Sequence, residues 1–79
     1  MKTVKISLTS IESVRDFVEL VRQFEGDIDL SSGRYIVDAK SIMGIFSLDL
    51  MKPITLTAYS DNEANCDKLI ESLKAYIVE

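Results

Sequence analysis

An α+β fold, with four antiparallel strands backed on one face by three helices, is predicted for this chain by three observations. Apolar residues alternate with polar ones in four short segments, and they recur at helical intervals in the stretches between and after those segments. Capping-box spacings stand where the longer helices should begin. The resulting order is strand, helix, strand, strand, helix, strand, helix, which packs most simply as helices over one face of a sheet.

The first strand runs from Lys2 to Leu8, with Val4, Ile6 and Leu8 on one side and Thr3, Lys5 and Ser7 on the other. Thr9 and Glu12 have capping-box spacing, and Val14, Phe17, Val18, Val21 and Phe24 then mark one face of a helix. Glu25-Gly26 predicts its end, because glycine readily takes the left-handed conformation that closes a helix. Ile28 and Leu30 begin a second strand, Ser31-Ser32-Gly33 supplies turn chemistry, and Tyr35, Val37 and Ala39 alternate beyond it, so the pair reads as a hairpin.

A short helix begins around Ser41 and must end before Pro53, which disfavours helix at the preceding residue. Ile54, Leu56 and Ala58 form the fourth strand. Ser60 and Glu63 repeat the capping-box spacing, and Cys66, Leu69, Ile70, Leu73 and Ile77 draw one stripe along a terminal helix.

Seventy-nine residues are enough for one domain spanning 1–79. Its apolar fraction of 47% and charged fraction of 28% are ordinary for a soluble globular protein. No apolar run approaches the roughly 20 residues that span a bilayer, and Met1-Lys2-Thr3-Val4-Lys5 does not resemble a signal peptide. A cytoplasmic location with no membrane association is expected.

The net charge of −4 and nine scattered Lys and Arg residues argue against nucleic acid as a partner, so the expected partner is a protein. Cys66 is the sole cysteine and falls on the apolar stripe, and the chain contains no histidine, so neither an internal disulfide nor a zinc cluster is available. Asp16, Glu19 and Glu25 read as a solvated helix face. Asp27, Asp29, Asp61 and Asn62 make no calcium-loop pattern. No metal or cofactor is expected, and composition leaves the oligomeric state open.

Lys40-Ser41-Ile42-Met43-Gly44-Ile45-Phe46-Ser47-Leu48 resembles the regulatory-serine segment of the HPr family, the small phosphocarriers of bacterial sugar phosphotransferase systems. Lys2-Thr3-Val4-Lys5, and Lys52 followed by Ile54-Thr55-Leu56, support the resemblance. It implies an HPr-like open-faced β-sandwich, β-α-β-β-α-β-α, over essentially the whole chain. The family carries its phosphoryl group on a histidine in a Gly-Ile-His-Ala-Arg-Pro type segment ahead of the first helix. Here that place reads Thr9-Ser10-Ile11-Glu12-Ser13, a shorter segment in which neither the histidine nor the arginine has a counterpart. Ser10 is the nearest polar substitute, but its hydroxyl has no histidine to act as a general base.

The resemblance therefore implies a regulatory, protein-binding relative that is neither a phosphoryl carrier nor an enzyme. It implies Ser41 as a site for an ATP-dependent HPr kinase, with a docking patch of Lys40, Ile42, Met43 and Phe46 for that kinase and for a transcription regulator or a phosphotransferase-system enzyme. Phosphorylation would add about −1.5 to −2 charge near free backbone N–H groups. Bland readings stand beside these. Ser41 serves equally well as a plain N-cap, Lys40 as a solvated charge, and Ile45 and Phe46 as residues that close the core. The interaction module those readings describe would work without phosphorylation.

Overall fold

A computed structural model of the protein describes residues 1–78. The elements are β1 (Lys2–Ile6), α1 (Ile11–Val21), β2 (Asp27–Ser32), β3 (Tyr35–Asp38), α2 (Ile42–Phe46), β4 (Ile54–Tyr59), α3 (Glu63–Ser72) and β5 (Ile77–Val78). All strand pairs are antiparallel, in the order β3-β2-β4-β1-β5.

The fifth strand departs from the four that the sequence predicts. The apolar stripe of the last helix extends to Ile77, but α3 ends at Ser72 and the chain turns back onto β1. The Ser7 N–H donates to the Tyr76 carbonyl at 2.8 Å, and Ile77 and Val78 then pair with Ile6 and Lys5. An uncovered edge of β1 offers backbone groups that must find partners, and this demand overrides a helical spacing carried by one residue.

Two-residue alternation decides which side of the sheet meets the helices. The registers Ile6↔Ile54, Leu30↔Leu56 and Ile28↔Ala58 set apolar side chains side by side on the inner face. They pack with Val14, Phe17 and Val21 of α1, Ile45 of α2, and Cys66 and Leu69 of α3. No polar or charged side chain among the described residues is buried. Phe17 meets Tyr76 edge to face, with ring centroids 5.9 Å apart, which ties the C-terminal turn to α1. The outer face carries Thr3, Lys5, Asp29, Thr55 and Thr57 and has no helix over it.

The helix starts differ from the predicted ones by a residue or two. Ser10, not Thr9, caps α1: its Oγ accepts the Ser13 N–H at 3.0 Å, while the Ser13 Oγ accepts the Ser10 N–H at 3.0 Å. A serine hydroxyl thus does the work that Glu12 was expected to do, and Glu12 takes a place in the first turn. Asn62, not Ser60, caps α3 by accepting the Ala64 N–H, and the Ser60 Oγ accepts the Asn62 N–H one step earlier. Glu63 is left to face the amino terminus at 3.5 Å.

The end of α1 also moves. The helix stops at Val21, and Gln23 and Phe24 continue with tighter bonds to Leu20 and Val21 before the chain reaches Gly26. Gly26 has φ +137°, and a Cβ there would run into the Tyr59 carbonyl and the Phe24 ring. Glycine is therefore needed for the turn into β2 rather than for closing the helix. The predicted hairpin is present. Ser32↔Tyr35 closes a two-residue loop in which Gly33 has φ +61° and Arg34 a negative φ, the sign pattern of a type II′ turn.

Candidate functional site

The turn that delivers Ser41 is specified by Asp38. The Asp38 carboxylate accepts the Lys40 N–H at 2.8 Å, and its carbonyl accepts the Ser41 N–H at 3.0 Å. Aspartate imitates a backbone turn in this way. Ser41 then takes an extended conformation, and its Oγ accepts the Gly44 N–H at 3.2 Å. The sequence-predicted helix start is thus placed correctly, with Ser41 as an exposed N-cap.

Gly44 is the residue that lets this cap close. A Cβ there would lie 3.2 Å from the Ser41 Oγ and 3.2 Å from the Val37 Cβ, tighter than ordinary packing. The Ser47 Oγ and N–H both donate to the Gly44 carbonyl, at 2.6 and 3.1 Å, and end the helix after five residues.

One turn of helix can bury only one side of itself. Ile45 is fully buried and Ile42 packs half-buried against the core, whereas Met43 is 77% and Phe46 40% exposed. Of the predicted patch, Met43 and Phe46 are therefore open surface and Ile42 is largely an anchor. The reading of Phe46 as a core-closing residue is not met.

The Lys40 ammonium donates to the Phe24 carbonyl at 2.9 Å and the Gly26 carbonyl at 3.1 Å, so it is not simply a solvated charge. It holds the segment before Ser41 against the connection between α1 and β2. Sequence spacing gave no sign of this tie, because the partners are main-chain atoms.

Exposed apolar residues also escaped the sequence reading, Met51 and Ile11 among them. Met51 stands in the connection between α2 and β4 and is almost wholly exposed. Ile11 matches the α1 stripe by spacing, yet it is exposed too. Helical side chains lean toward the N-terminus, so a stripe residue in the first position overhangs the end of the core.

At the junction ahead of α1 the serine hydroxyls are engaged in the helix cap. The Ser10 hydroxyl is engaged by the Ser13 N–H, and the Ser13 hydroxyl donates to the Ser10 carbonyl at 2.8 Å. Arg15 lies exposed on α1. Cys66 is buried with its Sγ 3.9 Å from the Ala58 carbonyl, in keeping with a small core residue. A groove of about 450 Å³ between the end of α1 and α3 is lined by Leu20, Gln23, Phe24, Lys68, Leu69 and Ser72 and does not include Ser41. The surface around Ser41, with Met43 and Phe46 exposed beside it, lies outside that groove.

An open antiparallel sheet backed by three helices, with a capped serine before an exposed apolar turn, defines a small two-layer α+β protein. Residues 13–78 match the family model described as the PTS HPr component phosphorylation site. The chain belongs to the HPr family.

Solved structures agree. HPr-C-His from Thermoanaerobacter tengcongensis is similar with a TM-score of 0.75 and 28% identity, over 95% of this chain and 93% of that one. Phosphocarrier protein HPr from Bacillus anthracis has a TM-score of 0.71 and 30% identity, covering 98% and 94%. Bacillus subtilis Crh, a catabolite repression protein whose crystal structure is a swapped, intertwined dimer, has a TM-score of 0.65 and 26% identity, covering 96% and 90%. Among curated protein sequences, none matches. Among the described residues, no helix is long and apolar enough to cross a membrane.

Proposed function

We propose that this protein is a regulatory member of the HPr family that docks onto a protein partner through the surface around Ser41, without carrying a phosphoryl group between enzymes. The observation that carries the reading is a pairing of presence and absence. Ser41 is exposed at the start of a helix whose Met43 and Phe46 face solvent, while the chain contains no histidine to accept a phosphoryl group. Exposed apolar side chains beside a modifiable hydroxyl make an interface that a change of charge can switch.

In this reading Ser41 is the substrate of an HPr kinase, and the unmodified and phosphorylated forms differ in affinity for a transcription regulator or a phosphotransferase-system enzyme. The protein acts as a single domain in the cytoplasm, and it binds rather than turns over. Its likeness to Crh, a catabolite repression protein, supports a regulatory role.

The test is incubation with ATP and an HPr kinase, followed by intact mass and site mapping. One phosphate on the wild type and none on Ser41→Ala is the expected result. No phosphate on either, with a standard HPr modified in parallel, would reject Ser41 as the switch. The engaged hydroxyl, which accepts the Gly44 N–H, favours one second reading: an interaction module in which Ser41 is only a helix cap. Partner binding unchanged by Ser41→Ala and by kinase treatment would establish it.

A further inference from the structure

The two edges of the sheet are treated differently. At one edge, β5 comprises Ile77–Val78 among the described residues. β3, at the other edge, runs four residues without a proline or a break in register, and its Tyr35 and Ile36 are each 68% exposed. Such an edge is a template for another strand unless something blunts it.

Hydrogen-bond parity shows which of its backbone groups are free. Ser32↔Tyr35 closes the two-residue loop and is therefore a hydrogen-bonded pair, so Tyr35 and Val37 direct their N–H and C=O groups toward β2. The Ala39 N–H continues that series by donating to the Ile28 carbonyl at 2.9 Å. Ile36, between them, directs both of its groups outward, as does the Asp38 N–H, whereas the Asp38 carbonyl accepts the Ser41 N–H.

We propose that β3 pairs antiparallel, edge to edge, with β3 of a second copy of this chain, with Ile36 on the twofold axis. The two Ile36 residues then exchange both backbone hydrogen bonds, and Tyr35 of each copy faces Val37 of the other. Arg34 of each copy lies opposite Asp38 of the other, giving two opposite-charge pairs, and neither residue is engaged in an ion pair among the described residues. Other registers of the same parity are worse. A two-residue shift one way sets Ile36 against Asp38 and Arg34 against Lys40, and the other way sets Arg34 against Ile36. Charge, apolar exposure and backbone parity thus select one register and one occupant. Each copy keeps all of its own elements, and the two sheets become one.

Sedimentation velocity from micromolar to millimolar protein tests this, with circular dichroism confirming that each variant is folded. The wild type should dimerise, and Ile36→Lys and Arg34→Asp should each weaken the dimer by about tenfold or more, since both place like charges across the new ladder. Combining Arg34→Asp with Asp38→Arg should restore association by exchanging the signs. Asp38 also supports the turn before Ser41, so the exchanged variant has a companion measurement: Ile36 amide exchange in the wild type should slow as concentration rises. A protein that stays monomeric at millimolar concentration would overturn the proposal. So would a dimer indifferent to Ile36→Lys and Arg34→Asp, as one formed by swapping an element would be.

Discussion

Ser10 and Ser41 begin helices through the same bond, each hydroxyl accepting the N–H three residues on, at 3.0 and 3.2 Å. Their surroundings separate them. Ser10 is answered by Ser13, which closes the box from the other side, and it starts an eleven-residue helix that buries Val14, Phe17, Val18 and Val21. Ser41 has no such answer from its third residue, Gly44, and it starts a five-residue helix that buries Ile45 alone. One serine completes a structural unit, and the other leaves a surface open. The difference teaches that the role of a capping serine is set by the helix it starts, not by its own hydrogen bond.

The comparison rests first on Ile45, the buried anchor of the short helix. Ile45→Ala should lower stability by about 2–5 kcal/mol, measured by denaturant unfolding, and should loosen α2 while leaving α1 intact. A loss below that range would mean that α2 is held by something other than its single buried side chain. The next largest effect is expected at Lys40→Met, which removes two charge-assisted bonds to the Phe24 and Gly26 carbonyls and should cost about 1.5–3 kcal/mol. Unchanged unfolding would show that the tie is incidental.

The two caps themselves can be set against each other. Ser10→Ala should cost about 1 kcal/mol and more than Ser41→Ala, because it also removes the partner of a reciprocal box. The reverse order would erase the distinction between the two serines. Ser41→Asp should keep stability within about 1 kcal/mol, since a carboxylate also caps a helix start.

The smallest effect concerns pH. Neither serine cap contains a titrating group, whereas the Tyr76 phenol is held above its ordinary value of 10.0 by burial first and by the Asp16 charge second. The folded state binds that proton more tightly than the unfolded chain does. The stabilisation is therefore complete below 10.0 and is lost as pH rises through the folded value. Thermal unfolding followed into alkali should show a modest fall there, and Tyr76→Phe should remove it.

Much of this architecture was legible. Alternation at Val4 and Ile6 and at Ile54, Leu56 and Ala58 named the strands, because a side chain on a sheet has only two faces to choose between, although the expected first strand ran on to Leu8 and β1 ends at Ile6. The start of α2 was legible because Ser41 stands just after the strand alternation ends and just before an apolar run. Other features were not. Ile77 continued a helical stripe, and nothing within two residues distinguishes that from a strand whose true cause is the open edge of β1. The Lys40 tie was hidden because carbonyls carry no sequence identity. At the candidate site, sequence could propose an apolar cluster but could not divide it, since helix orientation decides that Met43 faces water and Ile42 the core.

That no polar or charged side chain among the described residues is buried has a consequence for how this molecule can be altered. Nothing inside it requires a hydrogen-bonding partner to be replaced in kind, so its demands reduce to volume and shape. Volume-conserving exchanges such as Leu56→Met or Leu30→Met should be accepted with little loss, and the specificity of the chain then resides almost wholly in its loops and outer side chains. Grafting of recognition segments onto the turn between β3 and α2 would therefore have to keep only the buried Ala39 and the Lys40 tie to the Phe24 and Gly26 carbonyls.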